Sequence, residues 1–221
     1  MSAPVPEKQA DFFSAATAQG KPRRIICVTG PMAAGKNAAA DILEEKGFLA
    51  IDADKTVHEA VERRHADILA AFGATAAERG VCLETDEGLI DRRALGAIVF
   101  SDPELLKKQE ALIHPAVDAI LNEFIDAHPD RDILLNATVL YKTPVAQRCN
   151  AVIFVDAPIL LRLKRAKARD FLPAKLIFQR FSSQKHLFAK YKKLNTDIYR
   201  VWNIGTRKKL MDKLERVLAL L

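Results

Sequence analysis

Cysteine and tryptophan are scarce in this chain of 221 residues: there is one tryptophan, and the three cysteines, Cys27, Cys82 and Cys149, share no C-x-x-C spacing. An odd, scattered set speaks against a disulfide framework and against a cysteine-built zinc site, so buried, reduced thiols in a cytoplasmic protein are expected. Long apolar runs are also missing. None approaches the roughly 18 residues that a membrane-spanning helix needs, so no membrane association is expected. The stretch up to Gly20 has Phe12-Phe13 in a small, polar context but neither a basic start nor a sustained apolar segment, unlike a secretory signal. Residues 1–22, ending at Lys21-Pro22, are expected to be a flexible extension. No repeat or low-complexity block occurs, and nine glycines and ten prolines punctuate the chain without clustering. Acid is absent in one place. Between Arg162 and Lys193 Asp170 alone opposes eleven lysines and arginines, within a chain whose net charge is +6. Such a local excess calls for an anionic partner, and a nucleic-acid role would rest on this stretch alone, so none is expected.

What the chain does have is Gly30-Pro31-Met32-Ala33-Ala34-Gly35-Lys36-Asn37, the phosphate-binding pattern G-x-x-x-x-G-K-[ST] complete in all but its last position. The apolar, β-prone run Arg24–Thr29 precedes it, and an Ala-rich helical pattern follows from Lys36 to the stop at Lys46-Gly47. In such a strand, loop and helix the glycines let successive backbone N–H groups turn inward around an anion. The positive end of the helix points at the same place. Lys36 then reaches the β and γ phosphates of a nucleotide. A glycine-containing turn that binds nothing is the plainer reading, but the Gly-Lys pair, the spacing and the flanking elements together favour nucleotide binding. The basic stretch further along suits a triphosphate.

Four more strands are expected, at Phe48–Ile51, Ile133–Ala137, Val152–Val155 and Ile198–Trp202. Their near-continuous apolar runs suit a parallel sheet buried on both faces. Between the second and third, helices are expected at Thr56–Arg63 and Ala66–Phe72, an irregular connection at Gly73–Gly88, and helix starts at Asp91 and at Asp102-Pro103. His114-Pro115 is expected to break the helical pattern. A closing amphipathic helix runs to Leu221. The alternation predicts a three-layer α/β domain with its ligands at the carboxyl ends of the strands.

These stretches, taken in order, resemble the dephospho-coenzyme A kinase family over most of residues 24–212. The resemblance is carried by the P-loop, Ile51-Asp52-Ala53-Asp54, Ile90–Gly96 leading to Val99-Phe100-Ser101-Asp102-Pro103, and His114-Pro115. Val155–Pro158, Arg165–Asp170, Arg180–Gln184 and Asn195–Gly205 continue it. It implies a P-loop kinase fold over residues 23–221, with a helical substrate-binding insert at about 55–130 and a basic lid at about 160–193. It implies transfer of the ATP γ-phosphoryl group to the ribose 3'-hydroxyl of dephospho-coenzyme A, with Mg2+. The implied catalytic residues are Lys36, Asp54, Arg165 and Arg169. Nucleotide would lie on Gly30–Asn37 and against Asn203 and Gly205, and the acceptor near Asp52, Asp54 and His114. Asp54 resembles the family's proposed base; Asp52 can equally be a helix cap, and Asn203 and Gly205 an ordinary turn.

Three positions depart from the family pattern. Asn37 replaces the Ser or Thr that ligates the metal ion, so any contact of its own with the ion uses an amide oxygen or a water. Asn136 and Lys142 stand where the family's Asp-x-Pro-Leu-Leu-x-Glu pattern has its acids. A functioning kinase with a variant metal shell is the leading expectation. A catalytically degenerate nucleotide-binding relative and a kinase for another nucleoside or nucleotide are the alternatives.

Overall fold

The computed structural model of the chain describes residues 22–170 and 174–221, so the extension expected at the start lies outside the described residues as far as residue 21. The order is β1 (Ile25–Thr29), α1 (Lys36–Glu45), β2 (Leu49–Asp52), then α2 (Ala53–Arg63), α3 (His65–Glu78), α4 (Arg92–Val99) and α5 (Pro103–Asp126). It continues with β3 (Ile133–Asn136), β4 (Ala151–Asp156), α6 (Ile159–Asp170), α7 (Ala174–Ser183), α8 (Leu187–Tyr191), β5 (Asp197–Trp202) and α9 (Arg207–Leu218). Two 3-10 turns, Leu140–Lys142 and Pro144–Arg148, join β3 to β4.

The five strands are all parallel, in the order β2-β3-β1-β4-β5. Alternate residues of a strand point to opposite faces, and both faces of this sheet are covered. Ile26 and Val28 of β1, Leu134 of β3 and Ile153 and Val155 of β4 pack under α1 and α9, with Ile42, Leu43, Leu210 and Leu214. Their neighbours Cys27, Ile133, Leu135, Val152 and Phe154 pack on the other face, against α2 to α5 and α8. The parallel order brings the carboxyl ends of all five strands to one edge, where β1 runs into the loop before α1 and β2 runs into α2.

Three sequence expectations need correction. α3 does not stop at Phe72; it runs through Gly73 to Glu78, because Ala76 continues the buried stripe of Ile68 and Phe72 one turn further on. The helix does not break at His114-Pro115 either. α5 is continuous over 24 residues with Pro115 inside it. Proline forfeits one i→i−4 bond there, and Ile113, Ala116, Val117, Ile120, Leu121 and Ile125 hold one face of the helix in the core on both sides of it. α2 starts at Ala53, three residues before the expected Thr56, because the Asp52 carboxylate caps it by accepting the Asp54 N–H at 3.1 Å. Asp91 and Asp102 cap α4 and α5 as expected, Asp102 with Pro103 at the first helical position.

Candidate active site

The loop from Gly30 to Gly35 is shaped by contacts that only small residues allow. A Cβ on Gly30 would stand 2.2 Å from the Val155 carbonyl oxygen, and one on Gly35 would stand 2.0 Å from Asn203 Nδ2. Gly35 also has φ +101°, left-handed backbone that favours glycine. Ala33, at φ +62°, is the only non-glycine with positive φ among the described residues, and its strain falls inside the loop. Gly35 caps α1 without a side-chain hydrogen bond, and no acid occupies the first turn. The first N–H groups of α1 therefore keep both their donors and the helix's positive end for an anion.

Lys36 Nζ lies 2.5 Å from Asp54 Oδ2 and 3.2 Å from Thr138 Oγ1. Thr138 in turn donates its N–H to Asp54 Oδ1 at 3.1 Å and its hydroxyl to Asp54 Oδ2 at 2.8 Å. Residues from α1, the start of α2 and the segment after β3 thus meet on one carboxylate. Beside them Asn136 Nδ2 approaches Asn37 Oδ1 at 3.4 Å, while Asn136 Oδ1 is buried without a hydrogen-bond partner. Lys142 does not join this pair. It bonds Glu110 on α5 at 2.6 Å, so the three departures from the family pattern do not form one cluster. His114 belongs to that neighbourhood, half-buried near Glu110 and Lys142, and burial holds its imidazole below the ordinary histidine value.

The basic helices lean on the loop from the other side. Arg162 Nε donates to the Met32 carbonyl at 2.9 Å, and its guanidinium lies 4.4 Å above the Phe181 ring. Gln184 Oε1 accepts the Met32 N–H at 2.6 Å, and Arg165 donates to the carbonyls of Ala34 (3.4 Å) and Asn203 (3.2 Å). Ala166, Ile177 and Phe181 form a small core against Met32 and Ala33. Asn203 Nδ2 donates to the Ala34 carbonyl at 2.9 Å from a buried position. The backbone before Asn203 is tied to β4 through the Asp156 carbonyl, 2.7 Å from the Asn203 N–H.

Beside the loop lies a cavity of about 730 Å³, lined by the loop, Lys36, Asn37, Ala38, Asp52, Asp54, Thr138, Arg169, Arg180 and Gln184. Such a volume suits a nucleotide-sized ligand. The dephospho-CoA kinase family matches the chain over residues 24–200. The chain belongs to that family. A dephospho-CoA kinase of Treponema denticola is 43% identical over 194 residues, 86% of each chain, and one of Treponema pallidum is 36% identical over 88% of this chain and 94% of its own. Among solved structures, TT1252 from Thermus thermophilus is 29% identical with a TM-score of 0.73, covering 90% of this chain and 98% of its own. A dephospho-CoA kinase from Campylobacter jejuni is 25% identical with a TM-score of 0.61, over 90% and 97%. A shikimate kinase from Acinetobacter baumannii, 16% identical with a TM-score of 0.51, shares the fold.

In this member of the dephospho-CoA kinase family the cavity brings together the loop residues from Gly30 to Gly35 other than Ala34, with Lys36, Asn37, Asp52, Asp54 and Arg169. Ala34 is buried behind the loop, with its carbonyl taken by Asn203 and Arg165. Arg165, Asn203, Gly205 and His114 are not among the lining residues. Arg165 and Asn203 brace the loop from behind, Gly205 makes a left-handed turn (φ +103°), and His114 stands with Lys142. Arg162 and Thr138 were not marked as site residues in the sequence. Each acts on a residue far away along the chain, 130 positions in one case and 84 in the other.

Proposed function

We propose that this kinase transfers the γ-phosphoryl group of ATP to the ribose 3'-hydroxyl of dephospho-coenzyme A, giving coenzyme A and ADP. The observation that carries the reading is Lys36 and Asp54 meeting across a phosphate-sized loop, at the edge of the sheet where β1 and β2 end. Phosphoryl transfer asks chiefly for positioning and for charge stabilisation as negative charge spreads over the moving oxygens. Lys36 turns from Asp54 to the β and γ phosphates when nucleotide enters, and the loop N–H groups hold the same oxygens. The acceptor hydroxyl attacks the γ-phosphorus, the bond to the β,γ-bridging oxygen breaks, and Asp54 takes the hydroxyl proton. Arg169, on a helix seated against the loop and lining the cavity, supplies donors to phosphate oxygens and helps to exclude water, while Arg165 on the same helix holds the loop through the Ala34 and Asn203 carbonyls. Asp52 and His114 lie on the acceptor side in this reading, and Asn203 and Gly205 on the base side of the nucleotide.

Mg2+ fits the residues present. Asn136 Oδ1 is a buried acceptor without a partner, Asn37 Oδ1 has one long contact, to Asn136, and Asp52, paired in register with Asn136, lines the cavity together with Asn37. No cluster of three or more His, Cys, Asp or Glu side chains stands ready for a metal among the described residues. Mg2+ keeps most of its water and needs few protein ligands, so two amide oxygens and one acid, directly or through water, are enough to hold it. When bound it neutralises phosphate charge. Among the described residues no helix is long and apolar enough to cross a membrane, and we read the kinase as cytoplasmic, with free thiols.

The test is product formation. Purified protein with Mg-ATP and dephospho-coenzyme A is expected to give coenzyme A, and Lys36→Ala to give none above background. ATP binding without product in the wild type points instead to a catalytically degenerate nucleotide binder. A nucleoside or nucleotide preferred at equal concentration overturns the acceptor assignment.

A further inference from the structure

We propose that Thr138 is a positioning residue that holds Asp54 in its working orientation while Lys36 changes partners; this rests on the reading of Asp54 as the base. In the structure Lys36 is committed to Asp54, at 2.5 Å. The same ammonium is required at the phosphates once nucleotide binds, so the strongest contact of the carboxylate is withdrawn at the moment the base is needed. What stays is Thr138. Its N–H reaches Oδ1 at 3.1 Å and its hydroxyl reaches Oδ2 at 2.8 Å, one donor for each oxygen. Two donors on two oxygens fix rotation of the carboxylate about its last bond, which a single donor leaves open.

Thr138 can do this because it is itself held from behind. Its carbonyl accepts the Tyr191 hydroxyl at 3.2 Å and the Thr29 hydroxyl at 3.3 Å. The Tyr191 oxygen also accepts the Leu140 N–H at 3.0 Å, and the ring is fully buried, edge-on to Tyr141 and Phe154. The N–H of the preceding Ala137 is tied to the Val28 carbonyl of β1. The peptide is thus anchored to the central strand and to a core tyrosine, with both Thr138 donors on the Asp54 side. In the Asp-x-Pro-Leu-Leu-x-Glu pattern the position of Thr138 is proline, which has neither an N–H nor a hydroxyl. A chain with proline at this position would lack both donors to Asp54.

Thr138→Val removes the hydroxyl with little change of shape, Thr138→Ser restores it, and Asp54→Asn, measured alongside, tests the base itself. Thr138→Val is expected to lose about tenfold in kcat, the scale of one aligned hydrogen bond. KM for ATP and the Kd of ATP should stay within about twofold, and Thr138→Ser should recover most of the loss. Three results overturn the proposal while leaving the base reading intact, provided Asp54→Asn loses at least about a hundredfold. They are Thr138→Val at wild-type kcat, a loss confined to KM, and a loss that Thr138→Ser shares equally, which would be packing. Wild-type turnover in Asp54→Asn, or no turnover in the wild type, overturns the base reading and this proposal with it.

Discussion

Lys36 and Asp54 compete with the ligand they are built to serve. Their side chains are 13% and 43% exposed, so the ion pair that ATP must break is partly screened and is worth no more than about 1 kcal/mol. Asp54→Asn is therefore expected to bind ATP as tightly as the wild type or up to about fivefold more tightly, while turnover falls about 10²- to 10⁴-fold as the general base is lost. Calorimetric titration set beside steady-state rates separates the two effects. Weaker ATP binding in that variant would mean that the carboxylate supports the nucleotide site. Asn37→Thr offers the ion a hydroxyl in place of an amide, with little change in size. Turnover is expected to persist and half-saturation by Mg2+ to move to lower concentration, read from rates across a Mg2+ series. Lys36, Gly30 and Gly35 were legible in the sequence because the loop's chemistry is local, eight residues in fixed order. Asp54 was legible through its place at the end of a strand together with the family resemblance of Ile51-Asp52-Ala53-Asp54. Thr138 was invisible as a partner of Asp54, because no spacing records which side chains meet across neighbouring strands.

The helices over the loop act as one element, and Arg162 is where they are pinned to it. A lysine there would keep the charge but lose the planar stack on Phe181 and the directed bond to the Met32 carbonyl. Arg162→Lys is expected to weaken ATP binding about three- to tenfold while urea midpoints move little, because the small core of Ala166, Ile177 and Phe181 lies apart from the two sheet-face cores. An unchanged Kd for ATP would show that the stack does not hold the loop. At this scale the strands were read well, since a buried parallel strand is a short apolar run whatever surrounds it. Helix ends were read less well. Gly73 and Pro115 are local stop signals, and both were overridden by burial further along the same face. The local signals at Asp91 and Asp102 agreed with the packing, and those helices begin where expected.

The whole molecule stores protonated groups that only folding protects. Cys27 is buried at the centre of the sheet, and burial pushes its thiol well above the ordinary value of 9.0. Burial likewise pushes Cys149 up to about 12 and holds the Tyr191 hydroxyl above its usual range. Cys82 is exposed. The odd number and scattered spacing suggested that all three thiols are buried; Cys27 and Cys149 are, and Cys82, on a connection outside the sheet and the helices, is not. A folded-state pKa raised above the unfolded one means that the native protein keeps a proton the unfolded chain gives up. Stability is therefore full below about pH 8 and falls as pH rises through the unfolded thiol values, with Tyr191 joining near pH 10. Each retained proton contributes a slope of about 1.4 kcal/mol per pH unit. Urea unfolding at pH 8, 9, 10 and 10.5 is expected to show stability that begins to fall above about pH 8, with a slope near two such protons between pH 9 and 10 that steepens toward three by pH 10.5. Cys149→Ala should reduce that slope by about one proton, whatever the cavity it leaves does to stability at pH 8. In the native protein at pH 8 a thiol reagent should modify one cysteine quickly and the other two only at the rate of unfolding. Rapid modification of a second thiol would mean that a face of the sheet opens without global unfolding, and the alkaline slope should then be shallower by the same proton.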